Sequence, residues 1–201
     1  MIIIFILMIN GIKKMNFRRN VTIQMQAIIA DARIYWSKRA GHSALSSLLY
    51  IMTCHGWHIM FWFRVGKIIY SIPIPGISHV LKIVFQLLWF VLTTLYGTWL
   101  DASNNIGKGF YIGHFGGIIV RGDFGDYCSI GQGVTVGSKG AGKSNGWPVI
   151  GDRVYLGAGA KVIGNVTVGS GVVIGAGAVV TKDIPDESLA IGVPAKIFNK
   201  K

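Results

Sequence analysis

The second half of the chain repeats with a period of six residues. Counting in sixes from Ile106, and again from Ile150, reaches twelve positions that are all apolar, and glycine follows most of them. A period of six fits neither an amphipathic helix nor an alternating strand, and it is typical of a parallel β-helix, in which each unit makes a short strand and a corner. The repeat therefore predicts a solenoid whose core is filled by the anchor residues. They are Ile106, Ile112, Ile118, Phe124, Ile130, Val136, Ile150, Leu156, Val162, Val168, Ile174 and Val180.

The first half of the chain has a different pattern. Residues from about 22 to 96 read as helical, interrupted at Ser71–Ser78 by two prolines and a glycine. We predict an α+β fold with an N-terminal segment over 1–21, a helical domain over 22–99, a β-helix over 100–187 and a C-terminal tail over 188–201. The hexad phase breaks once, between Val136 and Ile150, so residues 138–149 are predicted to leave the solenoid as a loop.

Basic charge is concentrated in the helical half. The net charge is +12, and residues 1–100 carry ten Lys or Arg with one acid, Asp31, whereas residues 101–201 carry ten Lys or Arg with seven acids. No nucleic-acid-binding motif accompanies this charge, so no nucleic-acid partner is expected. Cationic charge mixed with Trp, Phe, Leu and Ile suits an anionic membrane surface. We therefore expect a cytoplasmic protein with peripheral contact to the inner face of the membrane through residues 22–100.

Two apolar stretches bear on membrane insertion. Ile2–Ile9 is too short to span a bilayer and lacks the features of a secretory signal. We expect residues 1–14, ahead of Met15, to be an overcalled start. Ile83–Leu100 has 18 uncharged residues, the lower limit for a span, but polar residues interrupt it. That interruption favours a buried or membrane-surface helix.

The predicted loop contains "GSKGAGKS", Gly137–Ser144, which fits the G-x-x-x-x-G-K-[ST] pattern of nucleotide hydrolases. Such a site needs a strand before the loop and a helix after it, because the helix N-terminus helps to bind the phosphate. Gly146 and Pro148 follow instead, and the hexad pattern resumes at Ile150. The stretch therefore predicts a protruding loop beside an active site and not an ATP site.

His114 is the one histidine within the repeat, in "YIGHFGG". It follows an anchor by two residues, which places it at a corner, where the neighbouring glycines leave room for a substrate. A lone histidine is commonly structural, but this setting favours a catalytic role. Zinc catalysis in a β-helix would need about three histidine ligands, so no metal is expected. Cys54 and Cys128 also lack metal-ligand spacing and are expected to be free thiols.

Residues 22–198 resemble the serine acetyltransferase family of hexapeptide acyltransferases, and more narrowly its members associated with polysaccharide and capsule synthesis. The matching segments are "ADARIYW", "WFRVGKIIY", "IGKGFYIGHFGGIIV", "SIGQGVTVG", "IGDRVYLGAGAKVIGNVTVGSGVVIGAGAVVTKDIP" and "IGVPAKI". The resemblance implies a left-handed β-helix and a homotrimer. It also implies acetyl transfer from acetyl-CoA to a hydroxyl, with His114 as the general base and no acyl-enzyme.

The resemblance also assigns residues to the cofactor. CoA would lie in a groove between neighbouring solenoids, lined by the backbone of small residues and approached by lysines near its phosphates. These candidates are Gly137, Ala158, Gly159, Ala176, Gly177, Lys161, Lys182 and Lys196. The repeat alone would also place small residues at such positions, and surface lysines commonly have no specific role.

The sequence departs from the serine acetyltransferase pattern around the acceptor. Gly113 stands where the family has Asp, Trp99 where it has the Asp that orients the histidine, and Gly146–Trp147 where it has Arg–His. Charges that suit zwitterionic serine are thus replaced by aromatic faces that suit a sugar ring, so we expect a sugar or glycan acceptor. Serine acetylation in cysteine synthesis is the alternative, and a non-catalytic solenoid that binds membranes or partners is a third. The candidate acceptor-binding residues are Gly113, Phe115, Trp147 and Asp101.

Overall fold

The structure, a computed structural model, describes residues 2–38, 43–74, 76–140 and 146–199, with side chains from Met15 onward. Within these ranges the N-terminal part forms four helices: α1 (Ile2–Ser37), α2 (Ala44–Thr53), α3 (His55–Tyr70) and α4 (Ile77–Tyr96). The strands that follow are β1 (Thr98–Leu100), β2 (Tyr111–Ile112), β3 (Ile118–Val120), β4 (Asp123–Phe124), β5 (Ser129–Ile130), β6 (Thr135–Gly137), β7 (Val149–Ile150), β8 (Tyr155–Leu156), β9 (Lys161–Ile163), β10 (Thr167–Val168), β11 (Val173–Ile174), β12 (Val179–Val180), β13 (Ser188–Ile191) and β14 (Lys196–Asn199).

The strands make the three faces of a left-handed β-helix. Face A contains β1, β3, β6, β9 and β12, and face B contains β4, β7 and β10. Face C contains β2, β5, β8, β11 and β13, with β14 added antiparallel at its edge. The other strand pairs are parallel, so each coil hydrogen-bonds to the coils above and below it. The predicted fold class is confirmed.

The core of the solenoid consists of the predicted anchors, all twelve of which are buried. A second set of smaller buried residues alternates with them. Its members are Cys128, Val134, Val154, Ala160, Val166, Val172 and Ala178. Burying each large aliphatic anchor contributes about 1.5–3 kcal/mol, which explains why a six-residue apolar repeat is enough to specify this architecture.

The strand register shows an irregularity that the repeat does not predict. Ile112 pairs with Ile130, 18 residues later, but Val120 pairs with Val136, 16 residues later. Val120, and not the predicted anchor Ile118, is therefore the face A equivalent of Val136. The corner that joins faces C and A in this coil holds two residues more than the same corner one coil later. The prediction that the hexad phase breaks only at the loop is wrong.

Helices α1 to α4, called here the cap, cover the N-terminal end of the solenoid and contact it through buried polar groups. Asp31 of α1 accepts a hydrogen bond from the Phe110 amide at 2.8 Å and pairs with Arg64 of α3 at 3.1 Å. Arg64 also donates to the carbonyls of Ile106 and Gly107. Burial raises the pKa of Asp31, and the Arg64 charge opposes that effect. These contacts satisfy backbone groups that the first coil would otherwise leave unpaired.

Three predicted segments can be compared with the observed elements. α4 ends at Tyr96, where the helical pattern of the sequence also ends, because Gly97 takes a left-handed φ of 55° and β1 begins at Thr98. β13 continues face C beyond residue 187, where the predicted solenoid ended. α1 begins at Ile2, and that residues 1–14 are an overcalled start stays a prediction.

Candidate active site

His114 lies on a corner that projects from the solenoid. Residues 113–117, called here the His114 corner, join face C to face A. The Gly133 amide of the next coil donates to the Gly116 carbonyl at 2.9 Å, so that coil turns beneath Gly116 and leaves His114 and Phe115 exposed. Gly116 and Gly117 have φ values of 103° and 65°, which glycine adopts without strain.

Polar groups of the corner are available to a ligand. The amides of His114, Phe115, Gly116 and Gly117 donate to no other residue within the described ranges, and neither does the His114 ring. No described carboxylate therefore orients that ring. A base next to unoccupied amide donors is suited to acyl transfer, because the amides can stabilise the oxyanion that forms on the carbonyl.

The helical cap holds both ends of the His114 corner. The buried Tyr35 hydroxyl accepts a hydrogen bond from the Ile112 amide at 2.9 Å and donates to the Ile112 carbonyl at 3.3 Å. Burial raises the pKa of Tyr35 well above its ordinary value, so the hydroxyl stays protonated. At the other end the Gly97 carbonyl accepts from the Ile118 amide at 3.2 Å. The shape of the corner therefore depends on helices that dock from outside the solenoid.

Phe115 packs into an aromatic cluster that the cap supplies. Its ring centroid lies 4.1 Å from that of His55, at the start of α3, and 6.4 Å from that of Tyr96, at the end of α4. Both ring nitrogens of His58 are engaged, by the Tyr96 hydroxyl at 3.0 Å and the Met52 carbonyl at 2.8 Å. The partly buried His55 ring makes no hydrogen bond to a described residue. The cluster thus offers one histidine with available ring nitrogens beside the His114 corner.

Small residues continue the same edge of the solenoid below His114. Face C stacks four residues in register, Ile112, Ile130, Leu156 and Ile174. The residues that follow each of them therefore line one edge of the solenoid, with His114 first, then Gln132, and then the predicted CoA-binding positions. Those positions are Ala158, Gly159, Ala176 and Gly177.

Asp101 and Trp147 lie at another corner. They flank the junction of faces A and B, across face A from His114. Arg121 joins them, since it pairs with Asp101 at 3.4 Å and its guanidinium lies 3.8 Å from the Trp147 ring centroid. Burial alone would raise the pKa of Asp101, but hydrogen bonds from Ser103 and the charge of Arg121 lower it. Within one subunit these two residues do not join Gly113, His114 and Phe115, and their role in binding the acceptor stays a prediction.

The other candidate cofactor residues are spread over the solenoid. Gly137 ends β6, and a side chain added there would meet open space. Lys161 begins β9, Lys182 follows β12, and Lys196 begins β14, all three exposed. Residues 141–145 of the "GSKGAGKS" stretch lie outside the described residues. Residues 146–148 lead directly into strand β7, where a phosphate loop would require a helix.

Two residues of the site, Tyr35 and His55, were not predicted as site residues. Asp31 and Tyr35 stand four residues apart on α1, and both side chains bond backbone groups of the solenoid. That spacing of two polar groups was the available signal. His55 carries no signal in the sequence, because its place beside Phe115 depends on how α3 docks.

Comparisons with known proteins agree with the fold. Residues 148–182 match the family model described as bacterial transferase hexapeptide (six repeats). A serine acetyltransferase of Synechococcus elongatus is 31% identical over 176 residues, which cover 86% of this chain and 68% of the relative. One of Helicobacter pylori is 35% identical over 147 residues, covering 72% of this chain and 82% of the relative. The solved structure of a serine acetyltransferase in complex with coenzyme A, from Brucella abortus strain S19, superimposes with a TM-score of 0.74 at 26% identity, covering 87% of this chain and 67% of that one.

These comparisons correct the predicted acceptor. The relatives and structural neighbours found are serine acetyltransferases. The predicted affiliation with the polysaccharide and capsule branch and the predicted sugar or glycan acceptor are therefore wrong. Aromatic residues at two acceptor positions were too weak a signal, because Phe115 packs on the cap and Trp147 packs on Arg121.

Proposed function

Because this chain belongs to the serine acetyltransferase family of hexapeptide transferases, we propose that it transfers the acetyl group of acetyl-CoA to the hydroxyl of L-serine. It is an acyltransferase with acetyl-CoA as donor. The observation that supports the proposed chemistry is an exposed His114 with unoccupied amides beside it, above an edge of small residues.

His114 acts as the general base. Its ring takes the proton from the serine hydroxyl as the oxygen attacks the thioester carbonyl, and amides of the His114 corner bind the oxyanion. The tetrahedral intermediate then collapses, the carbon–sulfur bond breaks, and the proton on the imidazolium passes to the CoA sulfur. O-acetylserine and CoA leave, and no acyl-enzyme forms.

The cofactor lies along the edge below His114. At Ala158, Gly159, Ala176 and Gly177 no side chain extends beyond Cβ, so a pantetheine arm can approach the backbone there. The thioester then reaches His114 from below, and the acceptor approaches from the side of the cap.

The acceptor carboxylate needs a donor, because the family's Arg–His pair is replaced by Gly146–Trp147. His55 fills this role. Its ring contacts Phe115, next to His114 in the chain, and its nitrogens are engaged by no described residue. His58 is excluded because both its ring nitrogens are occupied. A hydrogen bond from His55 to the carboxylate would orient serine with its hydroxyl towards His114.

The active unit is a homotrimer. Asp101, Arg121 and Trp147 lie across face A from His114, so one subunit alone separates the two groups of candidate residues. Packing one solenoid edge against the neighbouring subunit would bring them to one groove, and closed cyclic assembly repeats that groove three times.

The proposal is tested by following thiol release from acetyl-CoA with purified protein and a panel of hydroxyl acceptors. We expect turnover with L-serine, much slower turnover with D-serine, and O-acetylserine as the product by mass spectrometry. Turnover of another hydroxyl compound without turnover of L-serine would overturn the assignment of the acceptor. Failure of acetyl-CoA to bind in calorimetry would overturn the catalytic assignment itself.

A further inference from the structure

Helix α4 exposes an apolar stripe along its whole length. Aliphatic residues spaced three and four apart face the solvent, each between 50% and 70% exposed. This set, called here the α4 stripe, consists of Ile77, Val80, Val84, Leu87, Val91 and Leu95. A continuous apolar surface of this length marks an interaction surface, because scattered single residues and not stripes are usual on a soluble face.

The opposite side of α4 packs against the protein. Phe85 is buried, stacks on Trp89 with ring centroids 6.1 Å apart, and occupies the space beside Gly66 of α3. Trp89 and Tyr96 pack against the hydrophobic core, and Thr93 is buried. The helix therefore lies along the domain with one side docked and the stripe facing outwards.

The helical half of the chain, which carries the α4 stripe, is strongly basic. Residues 1–100 contain ten Lys or Arg, and their one acid, Asp31, is neutralised in the buried pair with Arg64. Every other side-chain formal charge in that half is positive. Lys82 of α4 lies 5.8 Å from the ring centroid of Tyr70, which packs against Phe85 where α4 meets α3. An apolar stripe on a strongly basic helical half of the chain is complementary to anionic lipid.

We propose that the α4 stripe is a membrane-binding surface, with α4 lying in the plane of an anionic bilayer. The stripe enters the boundary between headgroups and acyl chains, while the basic residues of the cap contact lipid phosphates. This surface is separate from the His114 corner and does not depend on the identity of the acceptor.

A membrane-spanning arrangement of α4 and a second copy of the chain on the α4 stripe both fit less well than a membrane surface. Among the described helices, α4 is long and apolar enough to cross a membrane, and 11% of its most apolar 18-residue stretch is buried inside the protein. Crossing would take its docked side, α3 and Lys67 into hydrocarbon, where unpaired charge is costly. A second copy of the cap would place positive charge against positive charge.

The test is flotation of the purified full chain with vesicles of phosphatidylcholine, with and without about 30% phosphatidylglycerol. We expect binding to the anionic vesicles, weakened when NaCl rises from about 0.05 to 0.5 M. The double variant Leu87→Glu/Val91→Glu should lower the ratio of bound to free protein by about tenfold or more, because it places two charges at the acyl boundary. Gln86→Glu adds one negative charge at an exposed polar position of the same helix away from the stripe; as the control for added charge, it should bind with less than about a twofold change.

Three results would overturn the proposal. One is flotation that responds neither to lipid charge nor to the stripe variant. Another is a halving of the particle mass of the double variant by light scattering, because that would show a second copy covering the stripe. The third is resistance to alkaline carbonate extraction, which would indicate a span. Serine acetylation by the double variant in vesicle-free solution should match wild type, so a loss of flotation is not a loss of folding.

Discussion

At the scale of single residues, buried polar groups of the cap determine the geometry of the candidate site. Asp31, Tyr35 and Arg64 satisfy backbone groups of the first coil. Tyr35 bonds the residue that immediately precedes the His114 corner. His114 itself is exposed, so its function depends on these groups and not on its own packing.

Replacing the general base should abolish most of the activity. His114→Asn keeps a polar side chain but cannot accept the proton, so kcat should fall about 10²–10⁴-fold while the KM for acetyl-CoA changes little. Steady-state kinetics by thiol release measures both. His79→Asn, at the start of α4, is the matched control and should retain wild-type kinetics. Full activity of His114→Asn would contradict the mechanism.

His55→Phe separates ring packing from hydrogen bonding at the acceptor site. Phenylalanine keeps the contact with Phe115 but removes both ring nitrogens, so the KM for L-serine should rise about 10- to 100-fold, the value of a hydrogen bond to a charged group. The KM for acetyl-CoA should stay unchanged. If the variant keeps the wild-type KM for L-serine, the assigned role of His55 is wrong, although the proposed function stands.

The buried Asp31–Arg64 pair should contribute strongly to stability. Asp31→Asn leaves Arg64 buried without its partner and should lower the free energy of unfolding by about 3–5 kcal/mol. Chemical denaturation followed by circular dichroism measures the change. Lys108→Ala, which removes the exposed pair with Asp126, should cost at most about 1 kcal/mol. Equal losses in the two variants would show that the cap is not held by the buried pair.

At the scale of elements, the site is a corner that is two residues longer than its equivalent one coil later. A solenoid tolerates this because hydrogen bonds between coils resume on both sides, at Gly113 with Ile130 and at Ile119 with Val134. The extra residues project where the cap can contact them. The other corners on this edge are two residues shorter and do not project, so a cofactor could lie against their backbone.

Two glycine positions distinguish stacking from cofactor access. A side chain at Gly157 would lie 2.6 Å from the Ala176 amide nitrogen, so Gly157→Ala forces two coils apart and should cost about 1–3 kcal/mol in denaturation. A side chain at Gly137 meets open space. Gly137→Ala should change stability by less than about 0.5 kcal/mol and raise the KM for acetyl-CoA. An unchanged KM would remove Gly137 from the proposed cofactor groove.

At the scale of the whole molecule, the chain divides its roles between two parts. The solenoid carries the candidate base, the proposed cofactor edge and the corner with Asp101 and Trp147. The cap closes the end of the solenoid, shapes the His114 corner and carries the α4 stripe. The predicted cytoplasmic location at the inner membrane face remains a proposal, which the flotation experiment addresses through the cap.

The proposed trimer predicts both a mass and a form of complementation. Sedimentation equilibrium without vesicles should give three times the chain mass of 21.8 kDa. If each groove takes His114 from one subunit and Trp147 from its neighbour, co-refolding inactive His114→Asn with Trp147→Ala should restore about a quarter of the sites. A monomer, or a mixture that stays inactive although each variant is folded and trimeric, would contradict a shared groove.

The sequence by itself determined the solenoid, its core and the candidate base. A period of six apolar anchors is a local pattern, because each anchor is buried by its own coil and the next, and so the pattern can be read without knowing distant contacts. The same holds for His114, whose position two residues after an anchor fixes it to a corner. The identity of the acceptor did not follow, because aromatic side chains at the corners pack on neighbours as readily as on a ligand.

Only the tertiary structure decided the register at the His114 corner, the separation of Asp101 from His114, and the arrival of Tyr35 and His55 at the site. Each depends on partners far apart in the chain, 77 residues apart for Tyr35 and Ile112. A glycine-rich corner accepts six or eight residues between anchors, so the repeat cannot fix its length. The register is set by hydrogen bonds to the next coil, and the contacts with the cap are set by how the helices dock on the first coil.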